Sequence, residues 1–346
     1  MNIDIALWLS QDAINNGAIY ALLAFALVLV FTVTRVIFVP QGEFISFAAL
    51  SFASLQAGVV PGTVILLMVG GVLVVVVDSL GARGNAWRRL PARLAFYVAL
   101  PLAVAALARW SASRPDDLWL QVVATLAIVT PLGPILYRLA FQPVANASVL
   151  VLLIVAVAAH YVLTGLGLAF FGGEGLRAKP FSTFSFKLGV LNITAQSLLV
   201  IFASLVVILA LWTLFERTVY GKALRATAVN RVGARLVGIS PYFSGRLSFT
   251  LAAFIAAISG ILIAPITTVY YDTGFLISLK GFVAATIGGM ASYPLAALGS
   301  ILVGFLEAGS SFWLSAFKES IVFTLIIPVL LWRSLAVPRN DKDEGQ

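Results

Sequence analysis

Long, nearly uninterrupted apolar runs recur along this chain between residues 17 and 336, joined by short polar links. A helix needs about 20 such residues to cross the hydrocarbon layer of a bilayer. Backbone groups in lipid must satisfy one another, which leaves only helices or the strands of a closed barrel. The runs are continuous rather than alternating, so they read as helices. Candidate spans fall near residues 17–34, 43–59, 62–78, 93–110, 118–138, 148–170, 196–215, 247–265, 276–291, 295–314 and 319–336. The expected fold is therefore an all-α polytopic integral membrane protein, a bundle of about ten or eleven transmembrane helices with residues 1–346 as one domain. The 276–291 run is short and Gly-rich. It reads as a half-span or a re-entrant segment, which is why the count stays between ten and eleven.

Composition narrows the function. Of 346 residues, 61% are apolar and 10% charged, against roughly 25% charged in a soluble domain. Too few polar residues remain to cover a water-soluble globule, which excludes a cytosolic enzyme and a secreted domain, and disorder is excluded equally. Cysteine is absent and His160 is the single histidine, so no thiolate or histidine-rich centre can form. No metal, catalytic group or cofactor is expected.

The net charge of +8 resides in the polar links, the positive-inside pattern of a multi-pass protein rather than a nucleic-acid surface. Residues 79–93 carry Arg83, Arg88, Arg89 and Arg93. Residues 216–246 carry Arg217, Lys222, Arg225, Arg231, Arg235 and Arg246. Arg138 lies between the fifth and sixth spans, and the tail holds Arg333, Arg339 and Lys342. Eleven crossings place all four regions in the cytoplasm, with the N-terminus outside and the C-terminus cytoplasmic. Residues 171–195 form the longer external loop. The first sixteen residues lack a basic stretch and carry Asp4 and Asp12, unlike a cleaved signal peptide.

Several polar positions stand out. Pro40 and Gly42 break the chain before Glu43, and such a break in a membrane needs protein or water to satisfy it. Glu43 is then either a helix-end cap or part of a break facing a translocation path. Glu307 lies inside an apolar run beside small residues, where an acid is by default a functional candidate. Lys280 is its possible partner in a pair that holds two helices together. Gly288 and Gly289, with Pro294, mark close packing or local unwinding. Asp78 reads as an interfacial residue at a span end, and His160 as a core histidine bonded to a neighbouring carbonyl. Trp8, Trp110, Trp119, Trp212 and Trp332 form an aromatic belt. In 216–246, helix is favoured from Lys222 to about Leu236. Gly238 stops it and Pro241 blocks its continuation. This segment is either a close-packing surface for a partner or a juxtamembrane helix lying on lipid.

Absent motifs limit the chemistry. Gly221-Lys222 is followed by Ala223 and lacks the upstream glycine of a phosphate-binding loop, so the chain carries no ATPase motif of that kind. No metalloprotease or nucleophile-elbow motif occurs, and no voltage-sensor arginine ladder or potassium-filter sequence.

Three stretches together resemble a known family. The first is Gly17-Ala18-Ile19-Tyr20-Ala21-Leu22-Leu23-Ala24 followed by Gln41-Gly42-Glu43-Phe44. The second is Tyr220-Gly221-Lys222-Ala223-Leu224-Arg225-Ala226, continuing through Ala234-Arg235-Leu236-Val237-Gly238-Ile239. The third is Lys280-Gly281-Phe282-Val283-Ala284-Ala285-Thr286-Ile287-Gly288-Gly289 with Pro294, Gly299 and Glu307-Ala308. The chain resembles the permease subunits of branched-chain amino acid ABC importers, of the LivH type. It departs from them at Phe38-Val39-Pro40, at Asn230 where an acid is usual, and over residues 62–115, which read as an added helical hairpin.

The resemblance implies a non-catalytic transport subunit of a bacterial inner membrane. Its implied partners are a second permease, related or identical, two cytoplasmic ABC ATPase subunits, and a periplasmic solute-binding protein. It makes 216–246 the coupling loop, with Gly221, Lys222, Arg225, Ala226, Asn230, Ala234, Arg235, Gly238 and Ile239 at the ATPase contact. Gly42, Glu43, Lys280, Gly288, Gly289 and Glu307 would sit at the translocation path or its gate. Branched-chain amino acids are the default solute, with related small polar solutes open. The competing reading is a secondary transporter driven by an ion gradient, with Glu43, Glu307 or His160 carrying the ion. An intramembrane enzyme lacks any nucleophile or metal cluster.

Overall fold

The apolar runs become helices that differ in how much of their surface the protein itself covers. The computed structural model describes residues 3–80 and 94–336. Helices α1 (Ile3–Thr34), α2 (Gln41–Gln56), α3 (Thr63–Leu80), α4 (Ala95–Ala112), α5 (Leu118–Phe141) and α6 (Val149–Phe171) come first. An antiparallel hairpin follows, β1 (Ser185–Leu188) with β2 (Leu191–Thr194). Next come α7 (Ala195–Arg217), the short helices α8 (Val219–Val229) and α9 (Arg231–Leu236), and α10 (Pro241–Ile263). The chain ends with α11 (Thr273–Ile287), α12 (Tyr293–Trp313), α13 (Lys318–Thr324) and α14 (Ile326–Ala336).

Eight of the described helices are long and apolar enough to cross a membrane: α1, α3, α4, α5, α6, α7, α10 and α12. The remaining expected spans are shorter. Helix α2 has 16 residues and α11 has 15, roughly 22–24 Å at 1.5 Å per residue. The 319–336 run is divided between α13 and α14. Helix α1 starts at Ile3, well before the expected residue 17. Its first half leans on the β1–β2 hairpin. There Trp8 Nε1 donates to Val190 O at 2.9 Å and Gln11 Nε2 to Asn192 O at 3.2 Å, and next to it Asn15 Nδ2 donates to Ser197 Oγ of α7 at 3.1 Å. That hairpin, inside the expected 171–195 loop, has no counterpart in the helical pattern of the sequence.

The core is built from α1, α2, α10, α11 and α12, while α3, α4, α6 and α7 turn much of their apolar surface outward, as lipid-facing helices do. Every residue of α2 is buried. Its apolar run is a core helix, which length and composition alone do not separate from a lipid-facing one. Helix α12 runs antiparallel to α1. A Cβ on Gly304 would lie 2.3 Å from Ala13 O, and one on Gly17 3.2 Å from Ile301 Cα. These small residues let the two backbones approach, the usual driving contact between helices in lipid.

Two faces emerge. On one lie the N-terminus, the end of α2, the 171–195 loop and the 264–272 link, tied by Lys179 N to Gln56 Oε1 at 2.6 Å and Ala178 N to Ala264 O at 3.0 Å. On the opposite face lie Arg35, the 142–148 link and α8–α9, joined by Arg231 to Val33 O and Ala145 O. Asp78, expected as an interfacial residue, pairs with Arg138 across α3 and α5; Arg138 Nε donates to Asp78 Oδ1 at 2.8 Å. Arg83, Arg88, Arg89, Arg93, Arg339 and Lys342 lie outside the described residues.

The tightest joint tests this packing. A Cβ on Gly274 would lie 2.0 Å from Gly42 O, and one on Gly42 2.6 Å from Phe275 Cα. Gly274→Ala should cost about 1–3 kcal/mol through forced separation of α2 and α11. Gly165→Ala, where a Cβ meets nothing within 4 Å, should not destabilise the protein. Thermal unfolding in one detergent distinguishes the pair.

Candidate functional site

Two interruptions of helix occur beside the second half of α1. After α1 ends at Thr34, the chain turns back without helix through residues 35–40, and α2 starts with Gln41 donating to Leu23 O at 3.2 Å. Leu23 lies eleven residues before Thr34, about 16 Å along the helix. Six non-helical residues reach about 20 Å, enough to return to that depth. The second interruption is the 288–292 turn between α11 and α12. Gly289 has φ +63°, Met290 φ +54°, and Met290 N bonds Ala285 O at 2.8 Å. A Cβ on Gly288 would lie 2.7 Å from Ser292 O. Tyr293, opening α12, meets Phe25 edge-on at 5.5 Å. Gly42 packs on Gly274 at the start of α11, whereas 288–292 follows the end of that 15-residue helix, so the two breaks flank α11 at its two ends.

Glu43 belongs to the first turn of α2 and is 1% exposed. His160 Nδ1 donates to its Oε1 at 2.6 Å, and Thr164 Oγ1 lies 3.4 Å from the same oxygen. The Phe275 ring covers His160 at 4.3 Å between centroids. The expected bond from His160 to a carbonyl is thus corrected: its partner is a carboxylate. The signal was present in the sequence. Leu152, Ala156, His160, Leu163 and Gly167 form the buried stripe of α6, so His160 had to face the interior. Which acid it would meet depended on α2 packing there. Glu43 Oε2 and Gln41 Oε1 are buried without hydrogen-bond partners among the described residues. Gly42 and Glu43 are held inside the subunit, between α2, α6 and α11, rather than on its surface.

Lys280 and Glu307 do come together. Lys280 Nζ donates to Glu307 Oε1 at 2.5 Å, and both side chains are buried. Two members were not foreseen: the Tyr20 hydroxyl donates to Glu307 Oε2, and Glu319 Oε1 lies 3.2 Å from Lys280 Nζ. The cluster joins α1, α11, α12 and α13. Gly288 and Gly289 lie on the neighbouring turn and do not touch it; they shape the break.

The α8–α9 segment departs from the single helix expected from Lys222 to Leu236. Asn230 takes φ −151° and ψ 106°, and its side chain accepts from Gly233 N at 2.8 Å. An asparagine that caps the next turn in this way ends one helix and starts another. Gly238, at φ +85°, closes α9 as expected, and Ile239 N bonds Ala234 O at 2.9 Å. Gly221 packs onto Leu214 O, where a Cβ would lie 2.1 Å away. Arg225 bonds Glu216 at 2.8 Å and the Phe215 carbonyl, which fixes α8 to the end of α7. Lys222 and Arg235 are exposed, Ala226 is half-buried and Ala234 is buried. Leu224 packs with Leu29 and Val33 of α1. Arg231 Nη2 donates to Val33 O at 2.9 Å. Val229, Val232, Leu236 and Val237 are exposed by 71–87%.

A family model described as the branched-chain amino acid transport system permease component matches residues 11–331. The chain belongs to that family. The high-affinity branched-chain amino acid transport permease protein LivH of Escherichia coli K12 is 30% identical over 227 residues, covering 62% of this chain and 74% of that protein. The corresponding BraD of Pseudomonas aeruginosa is 28% identical over 224 residues, covering 62% and 72%. An autoinducer 2 import permease protein, LsrC of Enterobacter sp. strain 638, is 31% identical over 146 residues, covering 42% and 41%. No solved structure matches. The permease is an ABC-importer transport subunit of the inner membrane, multi-pass and non-catalytic, which associates with ATPase and solute-binding partners.

The Lys280 cluster makes a sharp prediction. Removing one partner of a buried pair strands the other charge and costs about 3–5 kcal/mol. Lys280→Met should therefore lower stability by about that amount, leaving Glu307 and Glu319 without their cation. Combining it with Glu307→Gln should recover part of the loss, as read by a double-mutant cycle of unfolding in detergent.

Proposed function

We propose that this permease, one transmembrane domain over residues 1–346, carries branched-chain amino acids or related small polar solutes into the cell. It works beside a second permease, identical or related, with two ATPase subunits docked on α8–α9 and a periplasmic binding protein delivering the solute. The supporting observation is the exposed apolar surface of Val229, Val232, Leu236 and Val237 on short helices outside the long spans, a surface that suits a protein partner. Lys222 and Arg235 rim it, and Gly221, Arg225, Ala226, Asn230, Ala234, Gly238 and Ile239 shape it.

The lever in this reading is short. Movement of α8 and α9 reaches α1 through Leu224 on Leu29 and Val33 and through Arg231 on Val33 O. Helix α1 carries Tyr20 and passes both helix breaks. Gly42, Glu43, Gly288 and Gly289 then act as the gate beside the path, and Lys280 with Glu307 as the joint on which α11 and α12 turn. Interrupted helices at mid-membrane are the usual place for such a gate. ATPase closure biases this two-state element toward one access state.

In the same reading α8–α9 faces the cytoplasm, because Arg35, Arg138, Lys222, Arg225, Arg231 and Arg235 gather on that side, and the N-terminus faces outward. Residues 62–115, with α3 and α4, are a hairpin added at the lipid-facing edge; it leaves the later helices in their orientation. The relatives named for branched-chain amino acid transport make leucine the first solute to test.

Val232→Asp and Leu236→Asp, both at exposed positions, should abolish co-purification with the ATPase subunits while the permease stays in the membrane at normal level. Unchanged co-purification refutes the docking assignment. Leucine with its binding protein should raise ATP hydrolysis several-fold in the reconstituted complex; no response refutes the solute assignment.

A further inference from the structure

A cavity of about 350 Å³ opens on the face that carries α8–α9, between the end of α1, the end of α5 with the link after it, α9 and the start of α10. Its polar lining is Thr34, Tyr137, Asn146, Arg231, Arg235 and Tyr242, and its apolar lining includes Val36 and Phe141. No carboxylate lines it. This volume is that of a small-molecule site, and an apolar wall with a few convergent polar groups is the usual make-up of one.

The two arginines differ in what they already bind. Arg231 spends Nε and Nη2 on Val33 O, at 3.3 and 2.9 Å, and Nη1 on Ala145 O at 3.4 Å. A guanidinium has five N–H donors, so part of its fork remains for a ligand. Burial pulls the Arg231 guanidinium down from its usual range; Tyr137 opposes this and the nearby charge of Arg35 adds to it. Arg235 forms no ion pair among the described residues. The cavity thus gathers positive charge that no acid among its described lining residues balances, beside aromatic and apolar walls.

We infer that this cavity binds an amphiphilic oxyanion, a phosphoryl or carboxylate group held by Arg231 and Arg235 with its apolar body against Tyr137, Phe141 and Tyr242. A planar guanidinium fork favours such groups over halide or neutral ligands. The absence of any acid argues against a zwitterionic amino acid, whose ammonium group would find no partner. Two sources share this chemistry: a soluble organic anion and the headgroup of an anionic phospholipid. Val232 and Arg235 line the cavity and also belong to the surface of α8–α9 proposed for the ATPase, but anion binding itself needs only the permease. If those helices do carry the coupling motion, an occupant would tie α9 to α1 and to the link after α5, and so hold one state.

The test uses the full-length permease in nanodiscs of phosphatidylcholine alone and of phosphatidylcholine with phosphatidylglycerol. Phenyl phosphate is titrated by calorimetry, with benzyl alcohol as the neutral control, and bound lipid is read by native mass spectrometry. Saturable phenyl phosphate binding in both discs, weakened about tenfold by Arg235→Gln and largely kept by Arg235→Lys, supports a soluble anion. Phosphatidylglycerol retained by the wild type, lost in Arg235→Gln and blocking phenyl phosphate supports the lipid headgroup. Either overturning result is plain. One is phenyl phosphate binding that Arg235→Gln leaves unchanged or that benzyl alcohol matches. The other is no phenyl phosphate binding together with lipid retention indifferent to Arg235.

Discussion

A backbone inside a bilayer cannot leave its polar groups unpaired, and everything irregular in this permease follows from that constraint. Non-helical residues 35–40 and the 288–292 turn lie against the second half of α1 and the two ends of α11, where lipid would offer them nothing. They persist because protein surrounds them. Gln41 spends its side-chain amide on Leu23 O, Met290 N finds Ala285 O, and Gly274 N finds Ser46 Oγ at 2.8 Å. Helix α2 is wholly buried, whereas the 288–292 turn is covered only in part, with Met290 buried and Ala291 exposed.

The same constraint explains the buried charges. Glu43 and the Lys280–Glu307 pair would each be costly alone in an apolar interior. Each is answered by a neighbour from another helix: His160 from α6, and Tyr20 and Glu319 from α1 and α13. These groups sit where helices meet, and a motion separating the helices must break them. In the proposed transport cycle, such a motion would link the electrostatics of the core to the change of access state.

Much of the architecture was legible in the residues. Apolar runs marked the membrane helices, Pro40 and Gly42 marked the start of α2, and Gly238 with Pro241 marked the end of α9 and the start of α10. Lys280 and Glu307 were readable as partners because a buried acid needs a cation. Other features were not readable. Asn230 divides α8 from α9 through a local cap that helix propensity outweighs on paper. The early start of α1 goes with contacts to the β1–β2 hairpin that lie far away in sequence. The union of Glu43 with His160 links residues 117 positions apart, and no periodicity in either segment names the other.

By itself the sequence determined the class of protein, the family, the places where helices stop and the side that gathers positive charge, since all of these depend on local composition or spacing. Only the tertiary structure decided that α2 is wholly interior, that the two breaks flank α11 at its two ends, and that Arg231 and Arg235 border a common cavity. The reason is that burial and pairing across a bundle depend on which helices are neighbours. An apolar run looks the same whether lipid or protein covers it.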